Sequence, residues 1–277
     1  MLNHIAATTT LNNGVKMPWL GLGTWQASGD EVLTATRIAL EAGYRHIDTA
    51  MIYENEAEVG RAVRESGIPR SEIFVTTKVW NSDQRQGFDR VLKAFDESLK
   101  KLGFEQVDLY LVHWPVVGTY VEAWRALERI YADGRARAIG VSNFMLPHLE
   151  ELLKTATVVP AVNQVEFHPR LRQQELLDFC AKHRIQHEAW SPLMLGKVRE
   201  IAELGEIARA HGKTPEQVAL RWGMQKGSVM IPKSVKKERI VSNAALFDFE
   251  LTAAEMARID ALDQRHRTGG DPFNITF

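Results

Sequence analysis

EIFVTTKVW, residues 72–80, is a short apolar run with a single lysine, Lys78, close to its end. A run of this length, rich in β-branched residues, reads as a buried strand, and a charge at its end has no place in an ordinary core. The runs on either side repeat the arrangement. YRHIDTAMIY (44–53) carries Asp48 with Tyr53 five positions on, and VDLYLVHWP (107–115) brings His113 to the end of its apolar stretch. Helical periodicity separates the three. Buried strands that alternate with helices and end in titratable residues predict a barrel whose post-strand loops carry the chemistry.

Outward from these runs the alternation continues. The pattern predicts helix over 30–43, strand 45–49, helix 56–66, strand 73–78, helix 87–102, strand 107–112, helix 120–133 and strand 136–141. Helix 147–155, strand 161–165, helix 172–183, strand 185–190, helices 199–211 and 215–226, strand 228–231 and helix 236–244 complete it. An additional helix is expected over 252–263, and TPEQ (214–217) and TAAE (252–255) read as capped helix starts. Upstream, LGLGTW (20–25) supplies the first barrel strand, and TTTLNNGVKMP (8–18) holds Asn13-Gly14 between two extended stretches, a strong hairpin signal. The expected fold class is therefore α/β, a (β/α)8 TIM barrel with an N-terminal β-hairpin and an extra C-terminal helix, in one domain over 1–277. GGDP (269–272) reads as a mobile tail or flap.

The chain has 277 residues, 45% of them apolar and 25% charged, with a formal net charge of −1. It can bury a sizeable core, and it has no global bias toward nucleic acid or membrane, so any phosphate binding must be local. Cys180 is the only cysteine, which excludes an intrachain disulfide and a thiolate metal cluster and fits a cytoplasmic setting. The opening MLNHIAATTT lacks the basic and apolar regions of a signal peptide. No HExxH, CxxC or GxSxG occurs, and the spacing of His183 and His187 alone does not make a zinc site, so neither a metal nor a covalent nucleophile is expected.

Taken singly, an Asp–Lys pair, a Tyr near a strand end and a His before Trp-Pro each have a plain structural explanation. Taken in order, Asp48, Tyr53, Lys78 and His113 resemble the catalytic tetrad of the aldo-keto reductases. The resemblance runs from HIDTAMIYENEAEVG (46–60) through TTKVW, LVHWP, IGVSNF and VNQVEFHP to IPKSVKKERI (231–240), nearly the whole chain. It implies reduction of a carbonyl, with Tyr53 as the proton donor. A phenol ordinarily titrates near ~10, and the expectation is that the Lys78 ammonium lowers that value while Asp48 holds Lys78 in place. His113 would orient the carbonyl; a family branch that reduces carbon–carbon double bonds has Glu there, so His113 argues for carbonyl reduction. The hairpin, by the same resemblance, plugs the bottom of the barrel.

GLGTWQ lacks the third glycine and the ribose acid of a dinucleotide fingerprint, so a cofactor must be held otherwise. Lys233, Ser234 and Arg239, after the last strand and close to a helix start, offer two cations and a hydroxyl to a phosphate. In the family this segment binds the adenosine 2′-phosphate, which implies NADPH (NADP+) rather than NADH. Asn243 matches an adenine contact, whereas Ser242 stands where many members have Glu. Ser142, Asn143 and Gln164 match residues that bind the nicotinamide carboxamide, and Trp190 matches the aromatic that stacks on its ring. The resemblance adds Thr24, Trp25, Asp48, Ser191, Leu193, Ile231 and Val235 to the cofactor site, and Lys197 is expected on the pyrophosphate.

Trp25, Trp80 and Trp114, with His113, are the expected substrate mouth, to which Met51, Pro272 and Phe273 could add. The branch most resembled includes glyoxal or methylglyoxal reductases and 2,5-diketo-gluconate reductases, implying a monomer acting on small dicarbonyls, aromatic aldehydes or keto sugars. Two alternatives stay open: an alcohol dehydrogenase working in the oxidative direction, and an NADP(H)-sensing accessory subunit. No nucleic-acid or membrane partner is expected.

Overall fold

The computed structural model describes residues 4–275. Residues 1–3, the start of the stretch read for a signal peptide, and 276–277, the end of the expected domain, lie outside the described residues.

Strands β1 (Thr8–Thr10) and β2 (Lys16–Pro18) pair antiparallel, with Thr8 opposite Pro18, as the Asn-Gly signal predicts. Eight parallel strands follow: β3 (Leu22–Gly23), β4 (His46–Asp48), β5 (Phe74–Val79), β6 (Val107–Val112), β7 (Ala136–Ser142), β8 (Val162–Glu166), β9 (Gln186–Trp190) and β10 (Val229–Met230). Each pairs with its neighbour in sequence. The sheet closes on itself through parallel bridges Leu20–Met230 and Gly23–Lys233, with Gly21 N donating to Met230 O at 2.9 Å. Closure leaves no room beside Gly21, where a Cβ would stand 2.6 Å from His46 Nδ1. The glycines of LGLGTW thus serve strand packing.

Helices α1 (Gly29–Glu41), α2 (Glu56–Glu65), α3 (Asn81–Gln84), α4 (Phe88–Leu102), α5 (Tyr120–Ala132), α6 (Leu146–Leu153), α7 (Gln174–Lys182), α8 (Ala202–His211), α9 (Pro215–Gln225), α10 (Lys237–Ala244) and α11 (Ala253–Asp260) connect and cover the strands. Thr214 and Thr252 both form the capping boxes expected of TPEQ and TAAE. Two expectations need correcting. Helix 199–211 begins only at Ala202, because Leu195 and Gly196 take left-handed angles and the preceding Met194–Glu200 stretch is a kinked 3-10 turn. The short α3 has no counterpart in the sequence pattern, since four residues are too few to show a period.

Two apolar layers result. Most buried side chains lie between the strands and the helices, with Trp124, Phe95 and Trp222 among the largest. A smaller cluster sits inside the barrel at the strand starts, where Leu11 and Met17 of the hairpin pack with Phe74, Leu109, Ala138, Val162 and Val229. Asn12 and Asn13 latch the hairpin to the Pro160 and Arg137 carbonyls. The hairpin is the plug that closes the barrel interior at the strand starts. Among the described residues no helix is long and apolar enough to cross a membrane.

Candidate active site

The four polar residues converge at the C-terminal ends of β4, β5 and β6. Asp48 is the last residue of β4, Tyr53 lies in the 3-10 turn Met51–Tyr53 that follows, Lys78 is next to last in β5, and His113 comes directly after β6. Register explains the convergence: β4, β5 and β6 pair in parallel, so their ends fall on one rim.

Lys78 has no solvent exposure, and its Nζ donates to Asp48 Oδ1 at 2.7 Å and to the Thr49 carbonyl at 2.8 Å. An ammonium has three donors. Two are committed, and Nζ lies 5.1 Å from the centre of the Tyr53 ring. Burial pulls the lysine pKa down, but Asp48, Tyr53 and Glu188 together hold it above its ordinary value. The ammonium therefore stays charged. For Asp48, burial pushes the carboxyl up, against the ion pair with Lys78 and the hydrogen bond from Gln164.

Tyr53 departs from expectation. Burial raises its pKa, Asp48 and Glu188 push the same way, and Lys78 only partly offsets them. The phenol is protonated at neutral pH: Lys78 pulls its pKa down as expected, but burial outweighs that pull. His113 packs its ring edge-on to Tyr53 at 5.7 Å and to Trp80 at 5.1 Å. Burial first, then the Lys78 charge, holds its pKa well below the usual histidine value, so the imidazole is neutral. Among the described residues its Nδ1 is buried without a hydrogen-bond partner.

Behind the quartet the nicotinamide candidates form one chain. Trp190 Nε1 donates to Asn143 Oδ1 at 2.8 Å, Asn143 Nδ2 donates to the His113 carbonyl at 3.0 Å, and Ser142 Oγ donates to the Gln164 carbonyl at 2.8 Å. Asn143 sits at φ 65°, a left-handed conformation that Asn tolerates and that is common at functional sites. Gln164 Nε2 donates to Asp48 Oδ2 at 2.7 Å and to Glu188 Oε2 at 2.9 Å. The sequence analysis missed Glu188, although an acid inside the expected strand IQHEAW was a visible signal. Burial and the Asp48 charge raise Glu188 to about 8, and its Oε1 faces a neutral His46 at 3.6 Å.

Thr24 is buried and its Oγ1 donates to the Asp48 carbonyl at 2.9 Å. Asn55, also missed, fixes that loop by donating to the Thr24 and Ala27 carbonyls at 3.0 and 2.8 Å and accepting from Thr49 Oγ1 at 2.6 Å. As the residue before α2, Asn55 has the chemistry of a helix cap, yet its side chain makes no cap bond. The local pattern would have misassigned it.

The phosphate candidates stand apart from this buried group. Lys233 and Arg239 are exposed; Lys233 Nζ reaches the Gln26 carbonyl at 3.2 Å, and Ser234 Oγ accepts from Lys236 N at 3.1 Å. Among the described residues no side chain caps the start of α10, and Lys233 and Arg239 are exposed on either side of that start, a fit for a phosphate. Ile231 and Asn243 are buried, and Val235 and Leu193 are half-buried. Ser191 takes φ 50° beside Trp190, whereas Lys197 is exposed in the 3-10 turn. Of the substrate tryptophans, Trp80 is brought against His113, Trp114 is buried, and Trp25 is 52% exposed. Met51 is half-buried, Pro272 is buried, and Phe273 lies against the His148 ring at 5.0 Å. The tail is not the free flap that GGDP suggests, because Thr268 and Gly269 hydrogen-bond to buried Glu166.

Comparison with known proteins agrees with this geometry. Residues 19–264 match the model of the aldo/keto reductase family. The chain is 52% identical to glyoxal reductase of Bacillus subtilis (strain 168) over 278 residues, 100% of both chains. It is 46% identical to methylglyoxal reductase DkgA of Salmonella typhimurium, covering 95% of each. The crystal structure of a Gox0644 variant in complex with NADPH superimposes with a TM-score of 0.93 at 41% identity, over 98% of this chain and 99% of that one.

Proposed function

This chain belongs to the aldo/keto reductase family, and we propose that it uses NADPH to reduce small dicarbonyls and related aldehydes and ketones to alcohols, with Tyr53 as the proton donor. The observation that carries the proposal is the buried Asp48–Lys78 ion pair under Tyr53, beside a neutral His113. Small dicarbonyls are favoured by the named activities of the glyoxal and methylglyoxal reductases.

A carbonyl being reduced gathers negative charge on oxygen, and the protein must donate to that oxygen and then protonate it. Tyr53, protonated at neutral pH, has a proton to give. Lys78 stabilises the phenolate left behind, and its ammonium is held charged by Asp48 and aimed by the Thr49 carbonyl. His113, neutral and locked through its own carbonyl by Asn143, offers a ring N–H to the oxygen without adding a proton that could leave. Bound NADPH supplies the hydride that the carbonyl carbon accepts. Lys233, Ser234 and Arg239 would grip its 2′-phosphate, Asn243 its adenine, and Trp190 with Ser142, Asn143 and Gln164 its nicotinamide. Trp80 would wall the substrate side, with Trp25 and Trp114 at the mouth. The same proposal takes the chain as a one-domain monomer, which size-exclusion mass tests.

Following NADPH absorbance with methylglyoxal, an aromatic aldehyde and a diketo sugar acid, in native protein and in Tyr53→Phe, tests the proposal. Loss of the general acid should lower kcat by roughly 10²–10⁴-fold with NADPH affinity retained. Tight NADPH binding with no turnover of any carbonyl would sink it in favour of a nucleotide sensor.

A further inference from the structure

The C-terminal segment beyond α11 returns over the ends of β8 and β9, where Glu166 and Trp190 are register partners. Glu166 is fully buried, and its carboxylate takes up the returning chain. Oε1 accepts from Thr268 N and from Thr268 Oγ1, each at 2.6 Å, and faces His168 Nε2 at 3.1 Å. Oε2 accepts from Gly269 N at 3.3 Å and lies 3.8 Å from Arg267 Nη1. Burial alone would push this carboxyl up, yet the donors outweigh it and hold Glu166 below its ordinary value, ionised. Arg267 Nη2 reaches Gln173 Oε1 at 3.3 Å, and Gln173 Nε2 donates to the Glu166 carbonyl at 2.6 Å, which closes the anchor on itself.

What the anchored segment touches is the Trp190 indole. A Cβ added at Gly269 would stand 2.8 Å from Trp190 Cζ3 and closer still to Cη2. The backbone at Gly269 is outside the left-handed region, so a methyl group there is refused by the ring and not by the main chain. Thr268 Oγ1 also sits 3.3 Å from Ser191 Oγ, next to Trp190. At its opposite end the indole is held by the Nε1 bond to Asn143. Its benzene ring has the strap, and its pyrrole nitrogen has the site.

We propose that residues 267–269, tied down by Glu166, are a positioning strap that fixes the plane of Trp190 so that the ring presents one defined face to the nicotinamide. This rests on Trp190 being the nicotinamide platform. The strap acts through Trp190 and touches neither substrate nor the reacting atoms, so Glu166, Thr268 and Gly269 are positioning residues. An indole free to turn about its side-chain bonds would lose rotamer freedom each time the cofactor binds; one already clamped does not.

Binding of two ligands separates this from a merely structural role. NADPH carries the nicotinamide, and adenosine 2′,5′-bisphosphate carries only the part expected at Lys233, Ser234 and Arg239. Calorimetric titration of Gly269→Ala should show NADPH bound about tenfold more weakly, within the range by which touching groups couple, and the bisphosphate unchanged within about twofold. The NADPH loss should shrink below about twofold when Gly269→Ala is made in a Trp190→Ala background. Glu166→Gln, which adds no bulk, should repeat the pattern. Equal weakening of both ligands, a loss that persists without Trp190, or unchanged or tighter NADPH binding in Gly269→Ala overturns the strap. Native protein that binds the bisphosphate but gains nothing from the nicotinamide half, with Trp190→Ala equally indifferent, removes the platform and the strap with it.

Discussion

The two ends of β5 face the same barrel interior and have opposite chemistry. At Phe74 the strand begins in a dry cluster with Met17, Leu11 and Leu109; near its other end Lys78 is equally inaccessible but sits in an ion pair with Asp48. Burial of apolar side chains is favourable on its own account, whereas burial of a charge is tolerated only when partners replace the lost water. The bottom of the barrel therefore carries stability. The top carries groups whose cost the rest of the fold must absorb, and it keeps them because the reaction needs charge placed without solvent.

The sharpest way to test that division is to remove one partner at the top. Lys78→Met leaves Asp48 buried without its cation, which should cost about 3–5 kcal/mol and abolish turnover. Adding Asp48→Leu should restore much of the melting temperature and none of the activity. Activity returning with stability would break the comparison.

At the bottom, Met17→Ala should cost about 2–5 kcal/mol in denaturant unfolding through the cavity it leaves, with kcat and KM on methylglyoxal within about twofold of native where the protein is folded. A large change in kcat would show that the plug tunes the site. The effect confined to the narrowest conditions is a matter of pH. His187, at the start of β9, is fully buried, its Nδ1 lies 2.8 Å from Ser228 Oγ, and burial lowers its pKa to about 3 from an ordinary 6.5. Between those values the unfolded chain binds a proton that the folded protein refuses, so stability falls as pH drops from 6.5 toward 3. His187→Gln should flatten that fall by about one proton's slope, roughly 1.4 kcal/mol per pH unit, and leave the profile above pH 7 as it was. An unchanged acid limb would mean that His187 is not what titrates.

Much of this was legible in the chain. The strand runs were bounded to within a residue or two, since buried parallel strands are nearly continuous apolar segments and their ends are marked by polar residues. Asp48, Lys78, Tyr53 and His113 stood out because each interrupts or closes such a run. Asn55 did not, because its position before α2 advertises a cap while its side chain turns to the Thr24 loop. The Thr49 carbonyl that aims Lys78 could not be seen at all, since every residue has one and only the register of β4 on β5 selects it.

The succession of strands, the parallel barrel and the residue types at the strand ends could be read along the chain, because hydrophobic period and turn chemistry are local properties written residue by residue. How those residues are charged and what they lean on came only with folding. Tyr53, though only half-buried, is raised and His113 is neutral because packing at the rim withdraws them in part from solvent; Gln164 meets Asp48 across 116 positions, and Thr268 meets Glu166 across 102. No local period specifies partners so far apart. They meet because eight strands in register close into a barrel, which brings distant stretches of chain to one rim and shuts solvent out from between them.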